Sequence, residues 1–342
     1  MPRHQREPGT LPRPLAILGA LALVATTTVA VRLLPVAAGE PAARPAPPRP
    51  PVTRHAPALS AAVSETPQPG FVGYVDTARE PGFDLPARAR RSGVRHYLLG
   101  HLVAGGADGC SPKWASAAGT PADPGENPVA NRIGPLRALG GDAAPSFGGP
   151  DGPDPAARCV RPGGLSAAYR RVAGAFGAAA LDFEPGDGDT AAAALHRARA
   201  LRVLQRERRL RVSYTLPLTA SGLSAGDAAS LRAARQAGAE VGTVNLLAEV
   251  EPRAAPAGRL HRLAAAIRLA RAQIARAQAM PEPEQAWRRI ALTLVLADGA
   301  DLSEQDARTL TAYALRHGLA WLSLRGAAPD TGVSSVLQGS AP

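Results

Sequence analysis

Residues 178–216 read AAALDFEPGDGDTAAAALHRARALRVLQRERRLRVSYTL and are the most informative part of the chain. The apolar run at 178–184 predicts a β-strand, and the apolar run at 210–216 predicts another. Between them, segment 190–208 repeats apolar residues at helical spacing, with Leu195, Ala198, Leu201 and Leu204 on one face. A helix between two strands is the unit from which parallel sheets are built.

The same alternation continues in both directions along the chain. Further strands are predicted at 71–76, 94–103, 142–147, 240–247, 289–296 and 319–324, with helix-like segments between them. Eight strand–helix units over about 260 residues predict an α/β fold, a (β/α)8 TIM barrel at 70–330, followed by a C-terminal tail at 331–342. An open doubly wound sheet is the alternative, but no phosphate-binding glycine loop follows the first strand, because Gly73 lies inside it.

The N-terminal 69 residues have a different composition. Arg3, Arg6 and Arg13 precede an uncharged segment at 14–31, which predicts a signal peptide or an uncleaved signal anchor within residues 1–34. Residues 35–69 are rich in proline and alanine and predict a disordered, extended linker. We therefore expect a protein that is secreted or tethered to the outer face of the membrane, with the N-terminal segment as its sole membrane contact.

Charge and cysteine content narrow the classes of partner. The formal charge is +11, but Lys113 is the only lysine and the arginines are spread along the chain without interleaved aromatic residues, so no nucleic-acid partner is expected. Cys110 and Cys159 lack nearby Cys or His partners, so neither a metal site nor a cofactor is predicted. In an exported chain, two such cysteines predict one disulfide.

Residues at the C-terminal ends of barrel strands are the candidate site, because active sites of such barrels lie there. They are Asp76, Ser146, Phe147, Gly148, Gly149, Asp182, Glu184, Tyr214, Glu249, Glu251, Asp298 and Arg325. For Asp76 and Asp298 we favour a simpler role, capping the next helix. Asp182 and Glu184 are two residues apart on one strand and so share a face. Two adjacent carboxylates raise the pKa of one of them, as a general acid requires.

Five short motifs together resemble one family. They are FVGYVD at 71–76, CSPKW at 110–114, SFGG at 146–149, VSYTLP at 212–217 and the pair Val244-Asn245. In this order and spacing the chain resembles the actinobacterial chitinase-like proteins of glycoside hydrolase family 18. The resemblance implies a (β/α)8 barrel that binds N-acetylglucosamine polymers, pairing of Cys110 with Cys159, and a substrate site that includes Tyr74 and Asn245.

The family's catalytic motif, D-x-x-D-x-D-x-E, is incomplete on the fourth strand. In one register Asp182 matches the second Asp, Glu184 replaces the middle Asp, and Gly186 stands where the family has its general acid. In the other, Asp182 is the middle Asp and Glu184 is the acid. We favour the first because it needs no gap upstream.

Two further strand ends depart from the family. After the sixth strand, Val250 and Glu251 stand where the family has Asp and Tyr, although Glu249 or Glu251 could substitute. At the end of the eighth strand, Arg325 stands where the family has a tryptophan that stacks on the sugar.

Three functions follow from these observations. The favoured one is an exported, monomeric chitinase-like barrel that binds a chitin-like or other cell-envelope glycan with weak or no hydrolysis. The first alternative is an active retaining glycosidase with Glu184 as general acid. The second is a non-catalytic interaction domain of the cell envelope.

Overall fold

The computed structural model describes residues 70–115, 122, 128–186 and 188–339. The predicted signal or anchor segment at 1–34 and the predicted linker at 35–69 lie outside these residues. None of the helices in the described part is both long enough and apolar enough to cross a membrane.

Eight parallel strands form a nearly closed barrel, which confirms the predicted fold. The strands are β1 Val72–Asp76, β2 His96–Val103, β3 Lys113–Trp114, β4 Asp142–Gly148, β5 Ala180–Glu184, β6 Arg211–Pro217, β7 Thr243–Glu249, β8 Ile290–Leu296 and β9 Leu322–Gly326. The parallel strands pair in the order β1-β2-β4-β5-β6-β7-β8-β9, and a parallel bridge from Phe71 to Leu322 brings the last strand back to the first. The short β3 pairs with β2 in antiparallel orientation.

Helices connect successive strands, and polar caps mark where several of them begin. The helices are α1 Leu85–Ser92, α2 Ile133–Arg137, α3 Pro155–Arg158, α4 Gly164–Ala175, α5 Ala191–Glu207, α6 Ala225–Gln236, α7 Arg259–Ala277, α8 Glu304–His317 and α9 Thr331–Leu337. Thr190 accepts a hydrogen bond from the amide of Ala193 at the start of α5, and Ser303 forms a capping box with Asp306 at the start of α8.

Helix α9 corrects the prediction of a C-terminal tail at 331–342. Val333 and Leu337 lie one helical turn apart and are both buried, so the segment packs against the protein through one face. Three apolar positions in seven residues, Val333, Val336 and Leu337, are too few for the periodicity to stand out in the sequence.

Cys110 and Cys159 form the predicted disulfide, with their Cα atoms 4.5 Å apart. The bond joins the loop after β2 to the residue that ends α3, so it ties together two loops at the C-terminal end of the barrel.

A cavity of about 260 Å³ lies at the opposite, N-terminal end of the strands. Small side chains, among them Ala144 and Ala180, leave this space at positions where barrels usually pack bulky residues. None of the predicted site residues lines it, so the candidate site is a separate feature.

Candidate functional site

Asp182 lies inside the barrel and is completely buried. Its carboxylate accepts hydrogen bonds from Ser146 (2.5 Å), Ser213 (2.6 Å) and Thr215 (3.0 and 3.1 Å), which come from the strands on either side of β5. Burial raises the pKa of Asp182, and the hydrogen bonds from Ser146 and Ser213 oppose that rise. The hydroxyl groups therefore hold Asp182 in one position within the barrel.

The same network continues to β7 and β8. The Asn245 amide donates to the Thr215 hydroxyl at 3.1 Å, and the Thr293 hydroxyl donates to the Asn245 carbonyl oxygen at 2.9 Å. Asn245, a predicted substrate-binding residue, is fully buried. In this structure it therefore orients the polar interior of the barrel and lies below the mouth.

Glu184 lies two residues further along β5, and its carboxylate is held by two side chains. His101 Nε2 lies 3.0 Å from Oε2, and Arg325 Nη1 donates to the same oxygen at 2.6 Å. Burial alone would raise the pKa of Glu184, but the hydrogen bond from His101 and the charge of Arg325 outweigh it and lower the pKa to about 2. Glu184 is thus a carboxylate at neutral pH.

The pKa values of the acidic pair are shifted in opposite directions, whereas the spacing of Asp182 and Glu184 predicts only that one of them is raised. The raised pKa, however, belongs to the deeper residue, Asp182, and the lowered one to Glu184. The residue nearer the mouth therefore lacks the proton that a general acid must donate.

Arg325 reaches Glu184 from the opposite side of the barrel, because β9 and β5 are four strands apart. Its guanidinium carbon lies 3.9 Å from the centroid of the Tyr74 ring, a stacked cation–π contact. The Arg325 and Glu184 side chains are only 9 and 10% exposed. Tyr74, His101, Glu184 and Arg325 therefore form one packed cluster, which we call the mouth cluster.

The SFGG motif supports this cluster through its two glycines. At Gly148, a Cβ atom would meet the Glu184 carbonyl oxygen at 2.2 Å, and at Gly149 it would meet the His101 ring at 2.5 Å. Both glycines have positive φ, 91° and 77°, and the Gly149 amide donates to the Glu184 carbonyl oxygen at 2.8 Å. The motif thus lets the loop pass directly against the end of β5.

Two predicted substrate-binding residues, Phe147 and Tyr214, lie on the wrong face of their strands. Phe147 stacks on Phe183 and packs against Tyr169 of α4, and Tyr214 packs on Phe183. Strand alternation explains the error, because each residue is adjacent to an inward-facing serine or threonine. Both side chains belong to the core between the strands and the helices.

The remaining acidic candidates make mostly local contacts. Asp298 accepts from the amide of Ala300 and caps the short 3-10 helix Gly299–Asp301, which agrees with the capping role favoured for it. Asp76 accepts from the amides of Ala78 and Arg79 in the turn after β1, but the next helix, α1, is capped by Asp84, so the prediction that Asp76 caps that helix is wrong. Glu251 forms a two-bond ion pair with Arg262 of α7 and so faces that helix. Glu249 is exposed at the end of β7 and stays a candidate contact at the mouth.

His101 is the site residue that sequence reasoning missed. It lies within the predicted strand 94–103, near its C-terminal end, so the strand-end rule that selected the other candidates applies to it as well. No group of three or more His, Cys, Asp or Glu side chains that could hold a metal ion occurs among residues 70–115, 122, 128–186 and 188–339.

Comparisons with known proteins agree with the barrel architecture. No protein-family model matches the chain. A stretch of 185 residues, 52% of this chain, is 28% identical to the probable bifunctional chitinase/lysozyme of Escherichia coli, and the match spans only 20% of that protein.

Solved chitinase structures resemble almost the whole described barrel. The catalytic domain of the hyperthermophilic chitinase from Pyrococcus furiosus has a TM-score of 0.66 at 23% identity over 79% of this chain and 95% of that one. Catalytic-site mutants of active domain 2 of that organism's thermostable chitinase, complexed with chito-oligosaccharides, give 0.67 at 23% identity over 79% and 94%. A GH18 chitinase from Pseudoalteromonas aurantia gives 0.55 at 13% identity over 79% and 99%. The chain therefore has the chitinase-like fold of glycoside hydrolase family 18.

Proposed function

We propose that the barrel binds an N-acetylglucosamine-type glycan at its C-terminal mouth and hydrolyses it slowly or not at all, as a pseudoenzyme of the chitinase type. Support for the ligand comes from the fold, since a structure similar to this one is of a chitinase complexed with chito-oligosaccharides.

The state of Glu184 is the observation that carries the proposal. Its carboxylate accepts from Arg325 and His101, and its pKa is about 2. Cleavage of a glycosidic bond needs a proton donor at the leaving oxygen, and positioned acids contribute on the order of 10²–10⁴ in rate. Glu184 has no proton to give while this ion pair persists.

The position two residues beyond Glu184 does not supply the missing acid. Gly186 stands there, and a Cβ atom would meet only the Gly149 carbonyl oxygen, at 3.8 Å. The space would accommodate a side chain, but the sequence provides none. In the favoured register of the family motif, the general acid is absent.

An active retaining glycosidase is the second candidate, and one observation favours it. Asp182 and Glu184 share the inner face of β5, with Glu184 nearer the mouth. For Glu184 to act as the acid, a bound sugar would have to displace Arg325 and so raise the pKa of the carboxyl group.

Binding and turnover measured together separate these functions. The purified full-length protein is titrated with an N-acetylglucosamine tetramer in a calorimeter and assayed with a fluorogenic chitobioside. We expect measurable binding with turnover at background in wild type and in Glu184→Gln. The surface variant Glu304→Gln, on α8, serves as the control for the charge change.

Other results would point elsewhere. Robust turnover that Glu184→Gln abolishes, but Glu304→Gln does not, would establish the active glycosidase. Neither binding nor turnover would favour the non-catalytic interaction domain.

We also propose that the protein is monomeric, comes from an actinobacterium and is exported. The Cys110–Cys159 disulfide supports export, because such bonds persist in oxidising compartments. The alanine- and arginine-rich composition with a single lysine supports the source.

A further inference from the structure

The guanidinium group of Arg325 uses only part of its hydrogen-bonding capacity. Nη1 donates to Glu184, whereas Nε and Nη2 are buried and have no hydrogen-bond partner. Buried donors almost always have partners in folded proteins, so two unpaired nitrogens on one side chain call for an explanation.

The two unpaired nitrogens lie on the same edge of the guanidinium group. The N–H bonds of Nε and Nη2 point outward from this edge, parallel to each other, and so match the spacing of the two oxygens of a carboxylate. A neutral sugar hydroxyl satisfies one of these donors, whereas a carboxylate satisfies both. The unpaired edge therefore fits a carboxylate better than any group of unmodified chitin.

The surrounding contacts hold Arg325 in place before any ligand binds. Its guanidinium carbon stacks 3.9 Å from the Tyr74 ring centroid, and its ion pair with Glu184 fixes Nη1 at 2.6 Å. Because the side chain is already ordered, a ligand that meets its free edge loses little binding energy to ordering it. Both nitrogens are buried in the unliganded protein, so a ligand reaches them only if neighbouring side chains move.

The position of Arg325 connects this edge with the glycan site. Arg325 ends β9 at the mouth, where the family resemblance places a sugar-stacking tryptophan. An arginine at this position presents paired, charged hydrogen-bond donors where an indole ring would present a flat apolar surface. The formal charge of +11 also has the right sign to attract a polyanionic chain.

From this geometry we infer that Arg325 determines specificity and that the glycan bound at the mouth carries carboxylates. The ligand class is an N-acetylglucosamine-type polymer in which some sugars bear an acidic substituent, such as a lactyl ether or a uronate group. The carboxylate accepts from Nε and Nη2 while Glu184 keeps Nη1. This inference rests on the proposed function, because it presupposes that the mouth binds a glycan.

The test compares two oligosaccharides of equal length by calorimetry with the purified full-length protein at low salt. One is a neutral N-acetylglucosamine oligomer, and in the other alternate sugars carry a 3-O-lactyl group. We expect the acidic oligomer to bind at least about tenfold more tightly, the order expected for charge-assisted hydrogen bonds. Arg325→Lys keeps the charge but loses the paired edge and should lose most of this preference. Arg316→Gln removes an exposed charge and should keep it.

The possible failures are distinguishable. Equal affinity of wild type for the two oligomers, or a preference that survives in Arg325→Lys, would overturn the inference and leave the proposed function standing. If wild type binds neither oligomer, both the inference and the proposed function are wrong. A glutamate-rich peptide that binds as tightly as the acidic oligomer would overturn the assignment to a glycan. The wild-type comparison decides the matter even if the lysine variant does not fold.

Discussion

Arg325→Met should destabilise the barrel by about 3 kcal/mol at neutral pH. The pKa of Glu184 is about 2, against an ordinary value of 4.5. A depression of that size corresponds to about 3 kcal/mol of stability. Removal of one partner from a buried ion pair typically costs about 3–5 kcal/mol, because the other charge is left without compensation. His101 still holds Glu184 in the variant, so we expect the lower end of that range.

The pH dependence follows from the direction of the shift. Because the pKa of Glu184 is depressed in the folded state, its contribution is fully present above about pH 4.5 and is lost as the pH falls towards 2. Between about pH 4.5 and 2, the free energy of unfolding of wild type should fall by up to about 3 kcal/mol because Glu184 becomes protonated. Glu184→Gln should lack this component. The assay is urea unfolding followed by tryptophan fluorescence, at pH 7 and at several values within the window.

An exposed ion pair provides the control. Arg308 pairs with Glu304 on the surface of α8, where the two side chains are 58 and 51% exposed. Arg308→Met should cost no more than about 0.5 kcal/mol. If Arg325→Met costs no more than Arg308→Met, then Glu184 is not held by a buried ion pair and the reasoning is refuted.

Three further outcomes are expected. Reduction of the Cys110–Cys159 disulfide should lower stability by about 4 kcal/mol in the chain-entropy model for a loop of this length, visible as a lower Tm; an unchanged Tm would contradict a structural role. Gly149→Ala should destabilise the protein by more than about 1 kcal/mol, because Gly149 has positive φ and the new Cβ would meet the imidazole ring of His101. In the same thermal melts Gly174→Ala in α4, whose Cβ would meet nothing, should be neutral or stabilising. A chain that starts at Thr66 should melt like the full-length protein, and failure to fold would contradict the assignment of 1–69 as signal segment and linker.

Most of the fold could be predicted because barrel strands are apolar runs that recur at regular intervals. All eight parallel strands form at or close to the predicted places, but two of them are displaced. Strand β7 forms at Thr243–Glu249, against a prediction of 240–247, and β9 forms at Leu322–Gly326, against a prediction of 319–324. Strand ends depend on which neighbouring backbone groups pair, and the sequence does not show this. Helix α9 was missed because its burial depends on contacts with the rest of the protein.

The site was predicted only in part, for a similar reason. Because side chains alternate between the two faces of a strand, Asp182 and Glu184 could be placed on one face. The same rule, applied strictly, excludes Phe147 and Tyr214 from the inward-facing site candidates. The partners of Glu184 could not be predicted, because His101 and Arg325 are 83 and 141 residues away along the chain. The spacing of two carboxylates predicts a raised pKa, but only the structure shows that Arg325 and His101 lower that of Glu184.

The ratio of chitobioside turnover rates between wild type and Glu184→Gln shows whether Glu184 acts as a general acid. Because Glu184 is an ion-paired carboxylate with no proton to donate, we expect the same background rate for both proteins. A wild-type rate on the order of 10² or more above that of the variant would contradict this expectation, because such a ratio is what a working general acid contributes.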